Sequence, residues 1–241
     1  MTLSGKAALV TGASQGLGAA IASELANRGA RVVLVARDES ALDRVAAQIH
    51  ASGGEAHVLA ADVGDKHAIH ALVGRASALV GPIDLLIHNA STLGPTPLKL
   101  LLDTECEDFE RVLAVNLLGP FRLSRVIAGS MALRGTGTIV HISSDAAVNA
   151  YPRWGAYSVS KAGLDHLSRI WAEELGSLGV NVISIDPGEM DTAMHAAAMP
   201  DANRAELTRP EQVARALVTA LRASSLQTGK RSELARLGGT S

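Results

Sequence analysis

The chain has 241 residues, of which 47% are hydrophobic and 19% charged, so it is long enough to bury a sizeable core in one α/β domain. Its formal net charge of −2 and its scattered basic residues argue against nucleic acid as a partner. Since it contains neither a signal peptide nor a run of about 18 apolar residues, the sequence predicts no membrane partner. A single cysteine, Cys106, and eight dispersed histidines fit a cytoplasmic protein without a metal site.

Six short apolar segments recur along the chain, and they are nearly continuous rather than alternating. Strands that are covered on both faces of a parallel sheet have this pattern. The segments are residues 7–10, 32–35, 58–59, 85–87, 139–142 and 180–185. Segments of helical period lie between them, for example at residues 17–28, 40–50 and 68–79. The alternation predicts an α/β fold, a Rossmann-type doubly wound parallel sheet flanked by helices on both faces, in a single domain over residues 1–241.

A glycine-rich turn follows the first predicted strand and opens the first helix. It reads Thr11-Gly12-Ala13-Ser14-Gln15-Gly16-Leu17-Gly18. Glycines at such a turn let the backbone approach a pyrophosphate closely, and the N–H groups at the start of the helix face the anion. The G-x-x-x-G-x-G spacing differs from the commoner dinucleotide fingerprint, so a glycine-rich turn without a ligand stays an alternative.

Tyr157 and Lys161 lie four residues apart in a segment of helical period, which places the phenol and the ammonium on one helix face. A neighbouring cation stabilises phenolate. We therefore expect the pKa of Tyr157 to be lowered toward working pH, where acid/base catalysis is most effective. An amphipathic helix can also contain this spacing by chance.

Two further polar residues stand at positions that carry chemistry in this architecture. Ser144 follows a predicted strand and lies at the carboxyl edge of the sheet, where it can donate a hydrogen bond to a substrate oxygen. Its alternative role is to cap the next turn. Asn116 is an amide in an apolar helical segment, so it needs hydrogen-bond partners if it is buried, whether or not it takes part in catalysis.

Together these residues resemble the short-chain dehydrogenase/reductase family. The resemblance extends from Gly5 to about Leu221, with motif order and spacing intact. The matching segments are the cofactor turn from Thr11 to Gly18, the catalytic tetrad Asn116, Ser144, Tyr157 and Lys161, and the nicotinamide-side loop Asp186-Pro187-Gly188 with Thr192.

The resemblance implies an oxidoreductase in which Tyr157 exchanges a proton with the substrate oxygen while a nicotinamide exchanges a hydride. It also implies that Lys161 lowers the pKa of the phenol and binds the nicotinamide ribose, that Ser144 orients the substrate oxygen, and that Asn116 holds a water in the proton relay. The cofactor-binding residues that it implies are Gly12, Ser14, Gln15, Gly16, Leu17, Gly18, Arg37, Asp62, Val63, Asn89, Ala90, Tyr157, Lys161, Pro187, Gly188, Met190 and Thr192.

NADP(H) is predicted over NAD(H) as the cofactor. Enzymes of this architecture that favour NAD place an acidic residue about 20 positions beyond the glycine turn, at the end of the second strand. That position falls on Ala36, and the guanidinium of Arg37 next to it can grip a 2′-phosphate through two hydrogen bonds. Asp38 can take the acidic role if the strand ends later, and Gln15 stands where many NADP-using relatives carry a second basic residue.

The expected substrate is a small-molecule alcohol or carbonyl compound whose identity the sequence leaves open. Residues 193–205, rich in alanine and methionine, are predicted to form a mobile lid over it, with a surface helix as the alternative. The predicted substrate contacts are Ser144, Asn149, Tyr151, Trp154, Tyr157 and Met194. Two other functions stay open: a dehydratase or epimerase that uses the same tyrosine, and a cofactor-binding regulator without turnover.

The resemblance also implies a homodimer or homotetramer that associates through the helix carrying Tyr157 and the long helix before it. Two segments depart from the family pattern. Ser91 replaces the usual glycine in His88-Asn89-Ala90-Ser91, and residues 230–239 lack the usual aspartate before the paired glycines. The last strand is therefore predicted to be short or shifted.

Overall fold

The computed structural model describes residues 2–234. Its strands are β1 (Ala7–Thr11), β2 (Arg31–Ala36), β3 (Glu55–Ala60), β4 (Leu85–His88), β5 (Gly137–Ile142), β6 (Val180–Asp186) and β7 (Arg231–Glu233). They form one sheet in the order β3-β2-β1-β4-β5-β6-β7, and every pair is parallel.

Helices cover both faces of this sheet. They are α1 (Gly16–Asn27), α2 (Glu39–Ala51), α3 (Ile69–Val80), α4 (Cys106–Leu113), α5 (Gly119–Arg134), α6 (Gly155–Leu175), α7 (Ala193–Ala198) and α8 (Pro210–Ala223). α1, α2 and α8 pack on one face, and α3, α5 and α6 pack on the other. The predicted doubly wound α/β fold is confirmed.

β2 shows why the strands are almost continuously apolar. Val32 and Leu34 point into the core under α1 and α2, whereas Val33 and Val35 point into the core under α3. All four side chains are completely buried. Because both faces of the strand are covered, polar residues are excluded from both, and each buried side chain contributes roughly 1.5–3 kcal/mol of hydrophobic stabilisation.

The strand order reverses beside β1, which pairs with β2 on one side and with β4 on the other. The chain segments that follow β1 and β4 therefore diverge toward opposite faces of the sheet. In open α/β sheets this divergence leaves a crevice at the carboxyl ends of the strands, and ligands bind there. The fold thus places the glycine turn after β1 and residue Asn89 after β4 on the two sides of one crevice.

A π-helical turn, Ala114–Leu118, joins α4 to α5 within one helical stretch, Cys106–Arg134. By length and composition this stretch of 29 residues is apolar enough to cross a membrane, but half of its most apolar window is buried inside the domain. Such burial is the property of a core helix, and length and composition alone are weak evidence for a membrane span.

The last described strand is short, as predicted. β7 contains three residues and pairs with the carboxyl end of β6, with Arg231 opposite Ser184. The paired glycines Gly238 and Gly239 lie outside the described residues. Residues 193–205, predicted as a lid, contain α7 and reach the start of a 3₁₀ turn, Arg204–Glu206.

Candidate active site

A cavity of about 1260 Å³ runs along the carboxyl edge of the sheet and is lined by most of the predicted site residues. These are Gly12, Ser14, Gln15, Gly16, Leu17, Arg37, Asp62, Val63, Asn89, Ala90, Ser144, Tyr151, Trp154, Tyr157, Lys161, Pro187, Gly188, Met190, Thr192 and Met194. Three predicted residues do not line it. Gly18 and Asn116 are buried, and Asn149 is exposed with its Nδ2 donating to the carbonyl oxygen of Asp145 at 3.2 Å.

The glycine turn depends on close backbone contacts. Gly12 and Gly16 have φ angles of 66° and 55°, a region that favours glycine. A side chain at Gly12 would place its Cβ 2.8 Å from the Cα of Ala90, and one at Gly18 would clash with the carbonyl oxygen of Gly12. No side chain caps the first turn of α1, so its free backbone N–H groups are available to an anion in the cavity.

Asn89 holds the glycine turn from the neighbouring strand. Its Nδ2 donates to the carbonyl oxygens of Thr11 and Gly12 at 3.2 and 3.1 Å. The backbone N–H groups of Asn89 and Ala90 both donate to the hydroxyl oxygen of Thr11 at 3.1 Å. These bonds join the carboxyl ends of β1 and β4, and Ser91 in place of the family's glycine does not disturb them.

One end of the cavity carries three arginines, Arg37, Arg44 and Arg111. β2 ends at Ala36, so no acidic residue occupies the end of this strand. Asp38 is instead the N-cap of α2, where its Oδ1 accepts the backbone N–H of Ala41 at 2.9 Å. This acidic residue therefore caps α2 through one carboxylate oxygen, and it also lines the cavity next to Arg37.

Asp62 forms an ionised acceptor in the cavity wall. Its Oδ2 accepts from Nη2 of Arg111 at 2.6 Å, and its Oδ1 accepts from the backbone N–H of Gly64 at 2.8 Å. Burial acts to raise the pKa of Asp62. The two hydrogen bonds and the charges of Arg111 and Arg37 outweigh burial, so this pKa is below its ordinary value.

Tyr157 and Lys161 lie together in the cavity floor on α6, 8% and 2% exposed. The Lys161 Nζ is 5.5 Å from the centroid of the Tyr157 ring and donates to the carbonyl oxygen of Ile142 at 2.7 Å. Burial lowers the pKa of Lys161 to about 8, although the charges of Asp165 and Asp186 act to raise it. The predicted juxtaposition of phenol and ammonium on one helix face is present.

The structure contradicts the expected lowering of the Tyr157 pKa. Burial raises this pKa to about 12, and the charges of Asp145 and Asp186 act in the same direction. The hydroxyl groups of Ser144 and Ser91 act to lower it but are outweighed. The expectation was wrong because it counted the lysine and not the loss of hydration, which penalises a buried phenolate.

Asn116 lies in the π-helical turn and is completely buried. Its Oδ1 accepts the backbone N–H of Thr92 at 2.8 Å, and its Nδ2 donates to the carbonyl oxygen of Thr92 at 2.9 Å and to the hydroxyl of Ser160 at 3.0 Å. Ser160 in turn donates to the carbonyl oxygen of Tyr157 at 2.6 Å. Both amide hydrogens are thus used to tie the loop after β4 to the helix that carries Tyr157.

Ser144 begins a short polar cluster beside Tyr157, close enough for its hydroxyl to act on the phenol. Its hydroxyl donates to Oδ1 of Asp145 at 3.0 Å and accepts the backbone N–H of Ala146 at 3.2 Å, so it lines the cavity and also caps the next turn. The hydroxyl of Tyr151 donates to Oδ2 of Asp145 at 2.8 Å. Asp145 therefore orients two hydroxyl groups of the cavity, a role that the sequence analysis did not assign to it.

The segment after β6 closes the cavity over the glycine turn. The backbone N–H of Gly188 donates to Oδ1 of Asp186 at 3.0 Å, and Gly188 has a φ of 76°. Thr192 is the N-cap of α7. A Cβ added at Gly16 would lie 3.4 Å from Cγ2 of Thr192, so the two cofactor segments predicted from the sequence face each other.

A family model described as short chain dehydrogenase matches residues 6–203. The chain belongs to the short-chain dehydrogenase family. This short-chain dehydrogenase is 37% identical over 223 residues to the ketoacyl reductase HetN of a Nostoc species, which covers 92% of this chain and 77% of that protein. It is also 37% identical over 185 residues to the D-threitol dehydrogenase of Mycolicibacterium smegmatis, which covers 77% of this chain and 70% of that protein.

Solved structures agree with this assignment. A crystal structure of a metagenomic short-chain oxidoreductase in complex with NADP matches this short-chain dehydrogenase with a TM-score of 0.80 at 35% identity, over 97% of each chain. A solved structure of a short chain dehydrogenase/reductase family protein matches with a TM-score of 0.87 at 32% identity, over 97% of each chain. The protein is an oxidoreductase of this family.

Proposed function

We propose that this short-chain dehydrogenase interconverts an alcohol and a carbonyl compound, with NADP(H) as the hydride carrier and Tyr157 as the acid/base. The observation that carries the proposal is the placement of the Tyr157 hydroxyl, the Lys161 ammonium and the Ser144 hydroxyl in one cavity with the glycine turn. A dehydratase or an epimerase would use the same tyrosine, and a regulator would keep the turn without turnover.

The described residues fit nicotinamide adenine dinucleotide phosphate, NADP(H). The uncapped N–H groups of α1 provide donors for its pyrophosphate, and the glycines leave room for close approach. Ala36 stands at the end of β2, where NAD-preferring enzymes have an acidic residue, and Arg37 next to it provides a cation for the 2′-phosphate. A solved relative contains NADP. When it is bound, the nicotinamide supplies or accepts the hydride.

Tyr157 would move the proton. Its raised pKa of about 12 keeps the phenol protonated near neutral pH, which suits a donor to a carbonyl oxygen that gains negative charge during reduction. In alcohol oxidation the phenol must first lose its proton. The Lys161 ammonium, which persists up to about pH 8, would favour the phenolate over that range. The Ser144 hydroxyl, which lies beside the phenol, would orient the substrate oxygen.

Asn116 would support this proton transfer from behind the cavity. Both of its amide hydrogens are bonded, to the Thr92 carbonyl oxygen and to the Ser160 hydroxyl, so a relay water would have to donate to an acceptor rather than accept from this side chain. We propose that the amide positions Ser160, and through it the first turn of α6, while the turn offers a backbone acceptor to the water.

The substrate end of the cavity combines apolar and acidic groups. Trp154, Met190 and Met194 provide apolar surface, and Asp145 and Glu189 provide negative charge. We therefore propose that the substrate is an uncharged alcohol or carbonyl compound, since a carboxylate would be repelled from the neighbourhood of Ser144. The name of the D-threitol dehydrogenase, which indicates an uncharged polyol substrate, supports this class.

We further propose a cytoplasmic homodimer or homotetramer, since α5 and α6 leave apolar side chains such as Phe121 and Ile170 38% and 43% exposed.

The activity is tested by a screen of alcohols and ketones with both nicotinamide cofactors, followed through nicotinamide absorbance in the parent and in Tyr157→Phe. Net consumption of NADP(H) that depends on Tyr157 is the expected result. A transient absorbance change without net consumption would indicate a dehydratase or epimerase instead, and cofactor binding without turnover of any substrate would indicate a regulator.

A further inference from the structure

We propose that Arg231, on the last strand, is a positioning residue that fixes the carbonyl group of Ser144 and the segment after β6 relative to the catalytic helix. The proposal rests on the proposed function, because it assigns a role to Arg231 in the same reaction. Arg231 lies 74 positions after Tyr157 in a strand of three residues, and no motif of the sequence analysis includes it.

Arg231 contacts three elements of the site at once. Its Nη2 donates to Oδ2 of Asp186 at 2.6 Å and to the carbonyl oxygen of Ser144 at 3.2 Å. Its Nε lies 3.4 Å from Oδ2 of Asp165, an ion pair without a hydrogen bond. Asp165 stands one helical turn after Lys161 on α6. One guanidinium thus joins the loop after β5, the carboxyl end of β6 and the catalytic helix.

These contacts are shielded from water. The side chain of Arg231 is 18% exposed, and those of Asp165 and Asp186 are each 8% exposed. Asp165 also accepts a short hydrogen bond from the hydroxyl of Ser184, the residue that pairs with Arg231 across the sheet. A buried carboxylate needs a charged or hydrogen-bonding partner, and Arg231 provides the cation for both.

The shape of the guanidinium explains why the residue is an arginine. Its planar fork presents several N–H donors in fixed directions, so one side chain can bond a backbone carbonyl and the Asp186 carboxylate while its charge lies beside Asp165. Nη1 of Arg231 also donates to Oε1 of Glu233 on the same strand at 3.2 Å, which restricts the orientation of the guanidinium. A lysine would keep the charge at this place but could not bridge these acceptors.

The electrostatic environment of Tyr157 and Lys161 also depends on Arg231 and its two buried carboxylate partners, Asp165 and Asp186. Tyr157 faces Asp145 from the loop after β5, Asp186 from β6, the hydroxyls of Ser144 and Ser91, and the ammonium of Lys161. Lys161 faces Asp165 on its own helix, Asp186 on β6 and His141 on β5. Without Arg231, two carboxylates of this set would lose their counter-charge, so the pKa of Tyr157 would rise further.

The experiment compares Arg231→Met, which removes charge and hydrogen bonds, with Arg231→Lys, which keeps the charge. Lys230→Met is the matched control, because Lys230 is the exposed neighbour and carries the same charge. For each variant we would measure kcat and KM in both directions, the pH profile of alcohol oxidation, binding of NADPH by its fluorescence, and the thermal midpoint.

For Arg231→Met we expect kcat to fall about 10-fold or more and the rising limb of the oxidation profile to move up by about 0.5 pH unit or more. For Arg231→Lys we expect a lowered kcat with the profile near that of the parent, since charge is kept and geometry is lost. The double variant Arg231→Met, Asp186→Asn should move the profile back toward the parent, and Lys230→Met should match the parent.

A folded Arg231→Met whose kcat lies within about 2-fold of the parent and whose pH profile lies within about 0.2 pH unit of it would overturn the proposal. If Arg231→Met does not fold, Arg231→Lys decides: an unchanged kcat in that variant would overturn it as well. Retained activity in Tyr157→Phe would instead overturn the proposed function, so the two failures are distinguishable.

Discussion

The Lys161 ammonium lies 5.5 Å from the centre of the Tyr157 ring and donates a hydrogen bond to the Ile142 carbonyl oxygen at 2.7 Å. The lysine is therefore anchored to β5 by its own contact and does not depend on the phenol for its position. A phenol can be replaced at this site without releasing the ammonium, so the contribution of the Tyr157 hydroxyl can be measured separately from that of the charge.

Tyr157→Phe should lower kcat by at least about 100-fold, because it removes the proposed proton donor and keeps the ring that packs edge-on against Trp154. NADPH binding, measured by fluorescence titration, should stay within about 3-fold of the parent, since Lys161 remains anchored. A Phe variant that turns over substrate at nearly the parent rate would show that another group supplies the proton.

Arg37→Ala should lower kcat/KM for NADP(H) by about 10-fold or more and change that for NAD(H) little, because only NADP carries the 2′-phosphate. Steady-state kinetics with both cofactors measure the ratio. Arg75→Ala, on the exposed side of α3, removes the same charge away from the cavity and serves as the control. A parent enzyme that prefers NAD, or an Arg37 variant with an unchanged ratio, would contradict the assignment.

Asp145→Asn should raise kcat/KM for a keto acid about 3- to 10-fold relative to the methyl ester of the same acid, because it removes a negative charge beside Ser144. The ratio between acid and ester isolates the charge from other effects on the rate. Asp43→Asn, on the exposed face of α2, is the control. A ratio that does not change in Asp145→Asn would mean that this carboxylate does not discriminate between substrates.

Two buried histidines make the free energy of unfolding depend on pH. His88 and His141 are buried, stack with ring centroids 4.9 Å apart, and bond to the hydroxyls of Ser124 and Ser168. Burial, followed by the charge of the neighbouring His141, holds the pKa of His88 well below its ordinary value of 6.5. Burial, followed by the charge of Lys161, lowers the pKa of His141 to about 3.

Because the unfolded chain binds these protons at a higher pH than the native state, the stabilisation is present above about pH 6.5 and is lost as the pH falls toward 3. Each histidine contributes a slope of up to about 1.4 kcal/mol per pH unit in this window. Urea unfolding at several pH values should give a shallower slope for His141→Asn than for the parent. His70→Asn, on the exposed side of α3, controls for the loss of a histidine, and equal slopes in the parent and His141→Asn would contradict the prediction.

Association of subunits should depend on α5 and α6. Phe121 of α5 and Trp171 of α6 stack with ring centroids 6.2 Å apart. Phe121 itself and Ile170, the neighbour of Trp171 in sequence, are partly exposed. Sedimentation of the parent should give at least twice the 24.9 kDa of one chain, and Ile170→Asp should shift it toward the monomer. Leu79→Asp, a similarly exposed leucine on α3, should not. A monomeric parent at micromolar concentration would rule out this assembly.

The fold and most of the cavity could be predicted from the sequence, because each rests on local patterns. Continuous apolar segments mark strands that are buried on both faces, as β2 illustrates, and the glycines after β1 are required by backbone contacts that no other residue permits. Helical spacing alone puts Tyr157 and Lys161 on one helix face, whereas their assignment to the site came from the family resemblance. Patterns of this kind are visible in the chain before any tertiary contact is known.

The remaining features depend on contacts between distant segments. The Tyr157 pKa is set by burial and by Asp145 and Asp186, which the sequence separates from it by 12 and 29 positions. Arg231 can be seen as unusual only once β7 is placed against β6, since a charged residue in an edge strand is otherwise ordinary. Asn149 was predicted in the pocket from its neighbours in sequence, and the loop turns its side chain back to Asp145 instead.

The π-helical turn at Ala114–Leu118 holds one residue more than an α-helical turn needs. Removing a single residue there would let the stretch close into a regular α-helix, so Leu123 and Ile127 of α5 would keep facing the core, whereas Asn116 would lose its place opposite Thr92 and Ser160. The hydrophobic register of the core helix and the placement of the Asn116 amide can therefore be separated by one deletion. A deletion within α5 itself has no such reserve, since it would rotate every later residue of the helix by about 100° relative to the sheet.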